Sequence, residues 1–335
     1  MAIDWLNESD KYAVVALALK VEQAAKSSQR GKLSIVINGQ FPLEQHWREW
    51  MGSIAVKHLG ECNVFLAATM PSTAPSNLDA ESKELKQRAY NAYVGLQLAS
   101  DFTPAHKPLL ILGGLEQSVL SVRSLDEFDS PIPSIAARYP EITMAQLLES
   151  LRLGENLHGI ADAGIKGGHW RLFRTLRIYT ETRTTQDIVE RVHQYSRCID
   201  GLILPSIGGT KAQFKSKTEL FIGPGHHDLM GEIYDLRSAD EHLNDNRYLE
   251  VFDRDIRLDV LKKELVIEHI ARTALAKIVG TPALWPHFAN HDSLDAFWKL
   301  DADARRAIWG DAIDMNAATA GFDPRYINDA ELGRP

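Results

Sequence analysis

The chain has 335 residues, of which 44% are hydrophobic and 24% are charged, the usage of an ordinary globular protein. This composition excludes a fibrous or an intrinsically disordered chain, and no apolar run approaches the roughly 18 residues of a membrane-spanning helix. The 37 basic and 45 acidic side chains give a net charge of −8, which disfavours attraction to phosphate backbones over the whole surface.

The compartment is indicated by the first residues and by the cysteines. The opening segment MAIDWLNESD carries three acidic residues and no basic one, unlike the start of a secretory signal. Cys62 and Cys198 are the only cysteines, too few for a disulfide framework, and they fit a reducing compartment. We therefore expect a cytoplasmic protein.

The first 140 residues contain patterns of both helix and strand. Residues 10–28 combine apolar positions with good helix formers and predict a helix. A second helix, amphipathic, is predicted over residues 80–98. Short apolar runs bounded by turn residues predict buried strands at residues 33–37, 62–69 and 108–112. We expect residues 1–140 to form a mixed α/β module, whose role the sequence does not indicate.

After the proline-rich stretch at residues 131–140, helical periodicity replaces strand patterns. It recurs over residues 143–153, 184–204, 211–221, 228–243 and 248–279. We predict an α+β protein, with an all-α bundle at residues 141–285 after the α/β module. A tryptophan-rich tail at residues 286–335 is predicted to form two short amphipathic helices. Trp298 and Trp309 in this tail suit packing on the bundle or contact with a protein partner.

The most informative segment lies in the second half of the bundle, where IYDLRSADEH contains Arg237 and His242 separated by four residues. On a straight helix a five-residue step places two side chains about 140° apart. Convergence of the pair on one phosphate therefore requires the helix to end or distort there, or a second subunit to complete the site. A purely structural interpretation pairs Arg237 with neighbouring carboxylates and places His242 at a helix end.

This Arg-x4-His spacing, preceded by FKSKTELFIGPG and followed by EHIARTALAKIV, resembles the HEPN superfamily. The similarity covers about residues 141–280, and the nearest branch is the ApeA-like HEPN proteins of bacterial defence systems. The resemblance implies a metal-independent endoribonuclease of a defence or growth-arrest type. It also implies a homodimer in which two motifs line one cleft, with Arg237 and His242 as the catalytic residues.

The residue types fit that chemistry. An imidazole with a pKa near 6.5 can exchange a proton with a ribose 2′-hydroxyl or a leaving 5′-oxygen at neutral pH. A permanently charged guanidinium can stabilise the additional charge on the phosphate in the transition state. Ser238 follows Arg237 where active members usually carry Asn, Asp or His. The sequence therefore leaves open a catalytically silent sensor or adaptor that dimerises and binds a ligand or protein partner.

A basic segment precedes this motif, since residues 151–220 carry 11 basic and 7 acidic side chains. Within it Arg171, Arg174 and Arg177 recur every three residues and alternate with aromatic residues such as Trp170. On a helix these arginines form a basic stripe that suits single-stranded RNA if it faces the Arg237 motif. The alternative places the aromatic residues in the core.

The remaining motifs are weaker. His226, His227 and Asp228 are residue types that bind divalent metals, and they leave a metal-dependent hydrolase as a third hypothesis. Adjacent histidines point in different directions, however, and Asp228 suits the N-cap of a helix. We therefore predict no metal, no cofactor and no membrane partner, with RNA and a second copy of the chain as the expected partners.

Overall fold

A computed structural model describes residues 5–132, 134, 141–164, 168–241 and 253–324. The chain divides into two compact units. The first comprises residues 1–131 and 140–159, and the second comprises residues 132–139 and 160–335. The first contains a β-sheet and the second is helical, which confirms the predicted α+β class.

The first unit is built on a six-stranded antiparallel sheet with the strand order β2-β3-β4-β1-β5-β6. The strands are β1 Asp10–Leu17, β2 Ser28–Arg30, β3 Leu33–Ile37, β4 Val64–Pro71, β5 Leu109–Glu116 and β6 Val119–Glu127. The central strand β1 pairs on both sides, so that Val14 lies opposite Ala67 of β4 and Ile111 of β5. The three predicted strands are confirmed, since the runs at residues 33–37, 62–69 and 108–112 overlap β3, β4 and β5.

The predicted helix over residues 10–28 is wrong, because this segment begins with the central strand β1. Three helices pack on the sheet, namely α1 Gln45–Met51, α2 Ser53–Glu61 and α3 Ala80–Ala99. Val14 belongs to the core cluster that contains Leu59 of α2, whereas its neighbour Val15 belongs to the cluster that contains Leu85 of α3. Because both faces are covered, all eight residues of β1 are buried and the strand shows no polar alternation.

Gly113 and Gly114, which follow the strand predicted at residues 108–112, lie inside β5. The register between β5 and β6 shifts at Leu112 and Gly113, which marks a β-bulge. A Cβ atom on Gly113 would lie 1.8 Å from the carbonyl oxygen of Ser121. Only glycine permits this close approach of the two strands, so Gly113 has a structural role in the sheet.

The helix α4, Met144–Gly164, links the sheet to the helical part of the chain. Its first part belongs to the sheet unit, which extends to residue 159 instead of ending near residue 140. The physical reason is a close helix crossing with α3. A Cβ atom on Gly95 of α3 would lie 2.3 Å from the carbonyl oxygen of Ser150, and one on Gly154 would lie 2.8 Å from the Cα atom of Ala92.

The second unit is a helical bundle. Its helices are α5 Trp170–Thr182, α6 Ile188–Ile203, α7 Thr210–Ile222, α8 His227–Glu241, α9 Arg254–Gly280, α10 His291–Lys299 and α11 Ala302–Trp309. The helices predicted at residues 184–204, 211–221, 228–243 and 248–279 are confirmed within the described residues.

The described part of the tryptophan-rich tail packs on this bundle. Trp309 is 2% exposed, and its ring centroid lies 4.7 Å from that of Phe221 in α7. The indole of Trp298 donates to the carbonyl oxygen of Leu202 at 3.0 Å. Asp301 caps α11 by accepting from the backbone N–H of Ala304 at 2.8 Å. Both tryptophans therefore stabilise the helical unit itself.

Candidate functional site

A cavity of about 410 Å³ opens on the helical unit and is lined by α5, α6 and α8. Its lining residues are Trp170, Arg171, Arg174, Thr175 and Ile178 of α5, Arg197, Asp200 and Gly201 of α6, Leu204 and Pro205 after α6, and Arg237 of α8. We call it the arginine cavity. It brings two of the three arginines of the predicted basic stripe to the same space as Arg237.

The floor of the arginine cavity is a close contact between α5 and α6. A Cβ atom on Gly201 would lie 2.3 Å from Oγ1 of Thr175, so a larger residue would separate the two helices. Oγ1 of Thr175 donates to the carbonyl oxygen of Arg171 at 2.9 Å, within its own helix. This contact brings Arg171 and Arg174 on one helix close to Arg197 on the other.

Positive charge dominates the described walls of the arginine cavity, where four guanidinium groups and one carboxylate, that of Asp200, are among the lining residues that the structure describes. Arg174 and Arg197 are exposed, and Arg171 is partly buried. Among the described residues, no carboxylate lies within ion-pairing distance of these three arginines. Several like charges around a concave surface concentrate a positive potential, and guanidinium groups bind phosphate oxygens through paired hydrogen bonds. The cavity is therefore suited to an anionic ligand.

Arg237 is held in place at the cavity wall. Its Nη1 atom lies 2.5 Å from Oδ2 of Asp200, and the two side chains are 13% and 16% exposed. The guanidinium carbon also lies 5.1 Å from the ring centroid of Tyr234, whose hydroxyl is 2.6 Å from Oγ1 of Thr210. An ion pair and a cation–π contact together restrict the rotamers of Arg237. They fix the guanidinium before any ligand arrives.

Arg177, the third arginine of the predicted stripe, does not line the cavity. Its Nε atom lies 2.6 Å from Oε1 of Glu181, and its side chain is 67% exposed. Each three-residue step turns a side chain by 300°, so the third member of the stripe lies about 120° from Arg171 around the helix. The stripe therefore contributes two arginines to the cavity and leaves Arg177 beside it.

His242, the proposed catalytic partner of Arg237, lies outside the described residues, and α8 is described as far as Glu241. Arg197 and Asp200 also line the cavity, although no motif in the sequence indicates them. They lie three residues apart in a helix whose pattern indicates only an amphipathic surface. The excess of basic residues over residues 151–220 was the one signal that included Arg197.

Two other residues of the basic segment belong to the core. Arg183 is 1% exposed, and its Nη1 atom lies 3.2 Å from Oε1 of Glu268 in α9. The hydroxyl of Tyr179 donates to the same carboxylate oxygen at 2.8 Å. Burial raises the pKa of Tyr179 well above its ordinary value, so the phenol stays protonated. Neither side chain lines the arginine cavity, so both residues belong to the packing of the helical unit.

The histidine cluster at residues 226–228 is placed away from the arginine cavity. Nε2 of His227 lies 2.8 Å from Oε1 of Glu219. Across the described ranges, no group of three or more histidine, cysteine, aspartate or glutamate side chains is arranged to hold a metal ion. Cys62 is partly buried, and burial raises its pKa to about 12, so its thiol is a poor nucleophile.

A second cavity of about 570 Å³ lies beside α7 and α11. Its basic side chains donate hydrogen bonds to backbone carbonyl groups of the protein itself. Nζ of Lys217 donates to the carbonyl oxygens of Ile203 and Leu204 at 2.9 and 3.0 Å. Arg306 donates to the carbonyl oxygens of Glu219 and Leu220, both at 2.8 Å. Since these cations satisfy the last carbonyl groups of α6 and α7, the second cavity is a structural feature.

Comparisons of the chain with protein-family models, with curated proteins and with solved structures returned no significant match. In the part of the chain that the structure describes, no helix combines the length and the apolar character needed to span a membrane.

Proposed function

We propose that the helical unit binds RNA in the arginine cavity and cleaves it as a metal-independent endoribonuclease, with Arg237 and His242 as the catalytic residues. The observation that carries this proposal is the position of Arg237 in one cavity with Arg171 and Arg174. The resemblance to HEPN proteins supplies the reaction class and a bacterial defence or growth-arrest role.

The proposed reaction uses the RNA as its own nucleophile. The 2′-hydroxyl attacks the adjacent phosphorus, the bond to the 5′-oxygen breaks, and the products carry a 2′,3′-cyclic phosphate and a 5′-hydroxyl. His242 takes the proton of the 2′-hydroxyl as a general base, or gives one to the departing 5′-oxygen as a general acid. The guanidinium of Arg237 stabilises the charge that develops on the phosphate oxygens.

Phosphate binding is the first step, and the remaining arginines support it. Arg171, Arg174 and Arg197 contribute positive charge beside Arg237, and they extend the basic surface beyond a single phosphate. Such a surface suits a polymer with regularly spaced negative charges better than a single small anion. Its contribution to affinity decreases as salt concentration rises, because binding releases counterions from the RNA.

The ion pair between Arg237 and Asp200 favours a second candidate function. A carboxylate that occupies the guanidinium competes with a substrate phosphate, so the same cavity also suits a catalytically silent sensor or adaptor. In that version the protein binds RNA, or another ligand with several phosphate groups, without cutting it.

The experiment incubates purified protein with mixed single-stranded and structured RNA in excess EDTA. We expect the wild type to cleave RNA, and Arg237→Ala and His242→Ala, each with a verified fold, to lose cleavage. Binding without cleavage by all three proteins would reject the nuclease and support the silent version. Absence of both binding and cleavage in the wild type would reject the nuclease and also RNA binding by the silent version.

A matched pair of variants tests the binding surface separately from catalysis. Arg174 lines the cavity, whereas Arg177 lies three residues later on the same helix and pairs with Glu181. We expect Arg174→Ala to weaken RNA binding and to reduce the slope of log affinity against log salt by about 1. Arg177→Ala is the control and is expected to retain the wild-type slope.

The proposal includes a homodimer, since the resemblance implies that two Arg-x4-His motifs complete one cleft. Light scattering of the purified protein measures the mass in solution, for which we expect twice the 37.5 kDa of one chain. Mixing Arg237→Ala with His242→Ala protein then tests whether one site can combine residues from two copies of the chain. Recovery of cleavage in the mixture is expected if each site draws residues from both copies.

A further inference from the structure

Trp170, the first residue of α5, exposes 74% of its surface at the arginine cavity. An exposed indole leaves a large apolar area in contact with water, which folding by itself disfavours. Within the described residues, Trp170 makes no ring–ring or cation–π contact. Its side chain therefore contributes little to the packing of the unit that presents it.

The backbone beneath Trp170 is firmly held. His169 precedes it in the left-handed region, with φ of 67° and ψ of 10°, and is 8% exposed. The backbone N–H of His169 donates to the carbonyl oxygen of Ala289, and its Nε2 atom lies 3.3 Å from the carbonyl oxygen of Trp285. These contacts fix the start of α5, so the indole projects from a rigid position next to the arginines.

The other aromatic residues of the basic segment are placed differently. Tyr179 is buried and bonded to Glu268, and Phe173 is partly buried and is not among the lining residues of the cavity. Trp170, Arg171 and Arg174 share one face of α5, because the steps of one and four residues keep them within about 100° of each other. This face thus presents one aromatic ring beside two guanidinium groups.

We infer that Trp170 is a stacking platform for one base of a single-stranded nucleic acid, whose adjacent phosphates are bound by Arg171 and Arg174. The inference rests on the proposed RNA-binding function of the cavity and adds the chemical form of the substrate. Stacking needs an unpaired base with a free face, and every base offers one, so the platform selects single strands without selecting a sequence. In a duplex the bases stack on each other, so no free base face is available to the indole.

The test compares two oligomers of equal length and charge. One is a labelled single-stranded oligouridine, and the other is a labelled ribose-phosphate oligomer without bases. All proteins carry His242→Ala so that the RNA stays intact, and affinity is measured by fluorescence anisotropy in EDTA. We expect Trp170→Ala to weaken oligouridine binding about 10-fold and to change binding of the abasic oligomer less than 2-fold.

Two further variants separate stacking from fold and from charge. Trp170→Phe keeps an aromatic face and is expected to retain most of the oligouridine affinity. Arg174→Ala is expected to weaken binding of both oligomers, because it removes a phosphate contact. Circular dichroism of each variant verifies the fold. The affinity for a duplex RNA of the same length is expected to be unchanged by Trp170→Ala.

The outcomes distinguish the two proposals. If Trp170→Ala binds oligouridine as well as its parent does, while Arg174→Ala weakens both oligomers, the stacking inference is wrong and the phosphate site stands. If Trp170→Ala weakens both oligomers equally, the indole supports the cavity and does not stack a base. If the parent binds neither oligomer nor duplex, the proposed function fails and the inference fails with it.

Discussion

The guanidinium of Arg237 and the carboxylate of Asp200 form an ion pair inside the arginine cavity, with Nη1 2.5 Å from Oδ2. The two residues come from different helices, α8 and α6, and both side chains are largely buried. Among the described residues that line this cavity, Asp200 is the only one with a carboxylate. It orients Arg237 and at the same time opposes the arrival of a phosphate.

The first prediction concerns this opposing charge. We expect Asp200→Asn to strengthen binding of a single-stranded oligonucleotide about 5-fold at low salt, because one unit charge near a phosphate in a hydrated site contributes about 1 kcal/mol. Asp235→Asn is the control, since Asp235 pairs with Lys211 and is not a lining residue. Unchanged or weaker binding by Asp200→Asn, measured by anisotropy, would contradict the assignment of the cavity to anions.

The second prediction concerns the buried ion pair between Arg191 of α6 and Glu264 of α9. Nη2 lies 2.6 Å from Oε1, and the side chains are 2% and 0% exposed. We expect Arg191→Met to lower the free energy of unfolding by about 3–5 kcal/mol, because it leaves a carboxylate buried without its counter-ion. Urea denaturation followed by circular dichroism measures the change.

Two controls separate the lost ion pair from the lost arginine. Arg197→Met changes an exposed arginine on the same helix and is expected to alter stability by less than about 0.5 kcal/mol. Combining Arg191→Met with Glu264→Leu removes both charges and is expected to recover most of the loss. Equal stability of Arg191→Met and the wild type would show that the pair makes no net contribution.

The third prediction concerns the glycines of the sheet unit. A Cβ atom on Gly95 would lie 2.3 Å from the carbonyl oxygen of Ser150, so Gly95→Ala must move α3 away from α4. We expect it to destabilise the protein by about 1–3 kcal/mol. Gly60 in α2 has no atom within 4 Å of the corresponding position, and Gly60→Ala is expected to stabilise the protein by up to about 1 kcal/mol. Thermal unfolding of both variants compares them directly.

The fourth prediction concerns stability at low pH. Nζ of Lys11, which is 1% exposed, lies 2.6 Å from Oδ2 of Asp79 and 2.8 Å from Oε2 of Glu81. The hydrogen bonds from Lys11 hold the pKa of both carboxyls below their ordinary values. A lowered carboxyl pKa contributes stability above the unfolded-state pKa, and this contribution is lost as pH falls through the folded-state pKa.

We therefore expect the Tm of the wild type to fall as pH decreases below about 4.5, with part of the fall caused by these two carboxyls. Lys11→Met removes their partner and is expected to show a smaller decrease in Tm over that range. Lys86→Met, which removes an exposed partner of Asp126, is the control and is expected to keep the wild-type slope. Parallel curves for wild type and Lys11→Met would contradict the linkage.

Much of the secondary structure followed from the sequence, and the error at β1 has a clear cause. The strands β3, β4 and β5 are short apolar runs between turn residues, and their pattern is local. The strand β1 carries residues such as Ala13 and Leu17 that also form good helices, and its burial on both faces removes the alternation that identifies a strand. The helices that cover those faces come later in the chain.

Only some residues of the candidate site could be predicted from the sequence. Local spacing indicates Arg171, Arg174 and Arg237, because a helix repeat and a short motif can be read along the chain. It does not indicate Arg197 and Asp200, because their importance depends on which helix lies opposite them. The same spacing predicts a role for Arg177, which lies outside the cavity because the rotation of the helix separates it from Arg171.

The sequence by itself determined the α+β class, most of the helices, the basic segment and the Arg-x4-His spacing, since each depends on residues close together in the chain. Only the tertiary structure decided that α5, α6 and α8 enclose one cavity, with Asp200 bound to Arg237 and Trp170 exposed beside them. The physical reason is that close packing, such as the contact of Gly201 with Thr175, sets which side chains meet across helices. Local propensity carries no information about such contacts between distant segments.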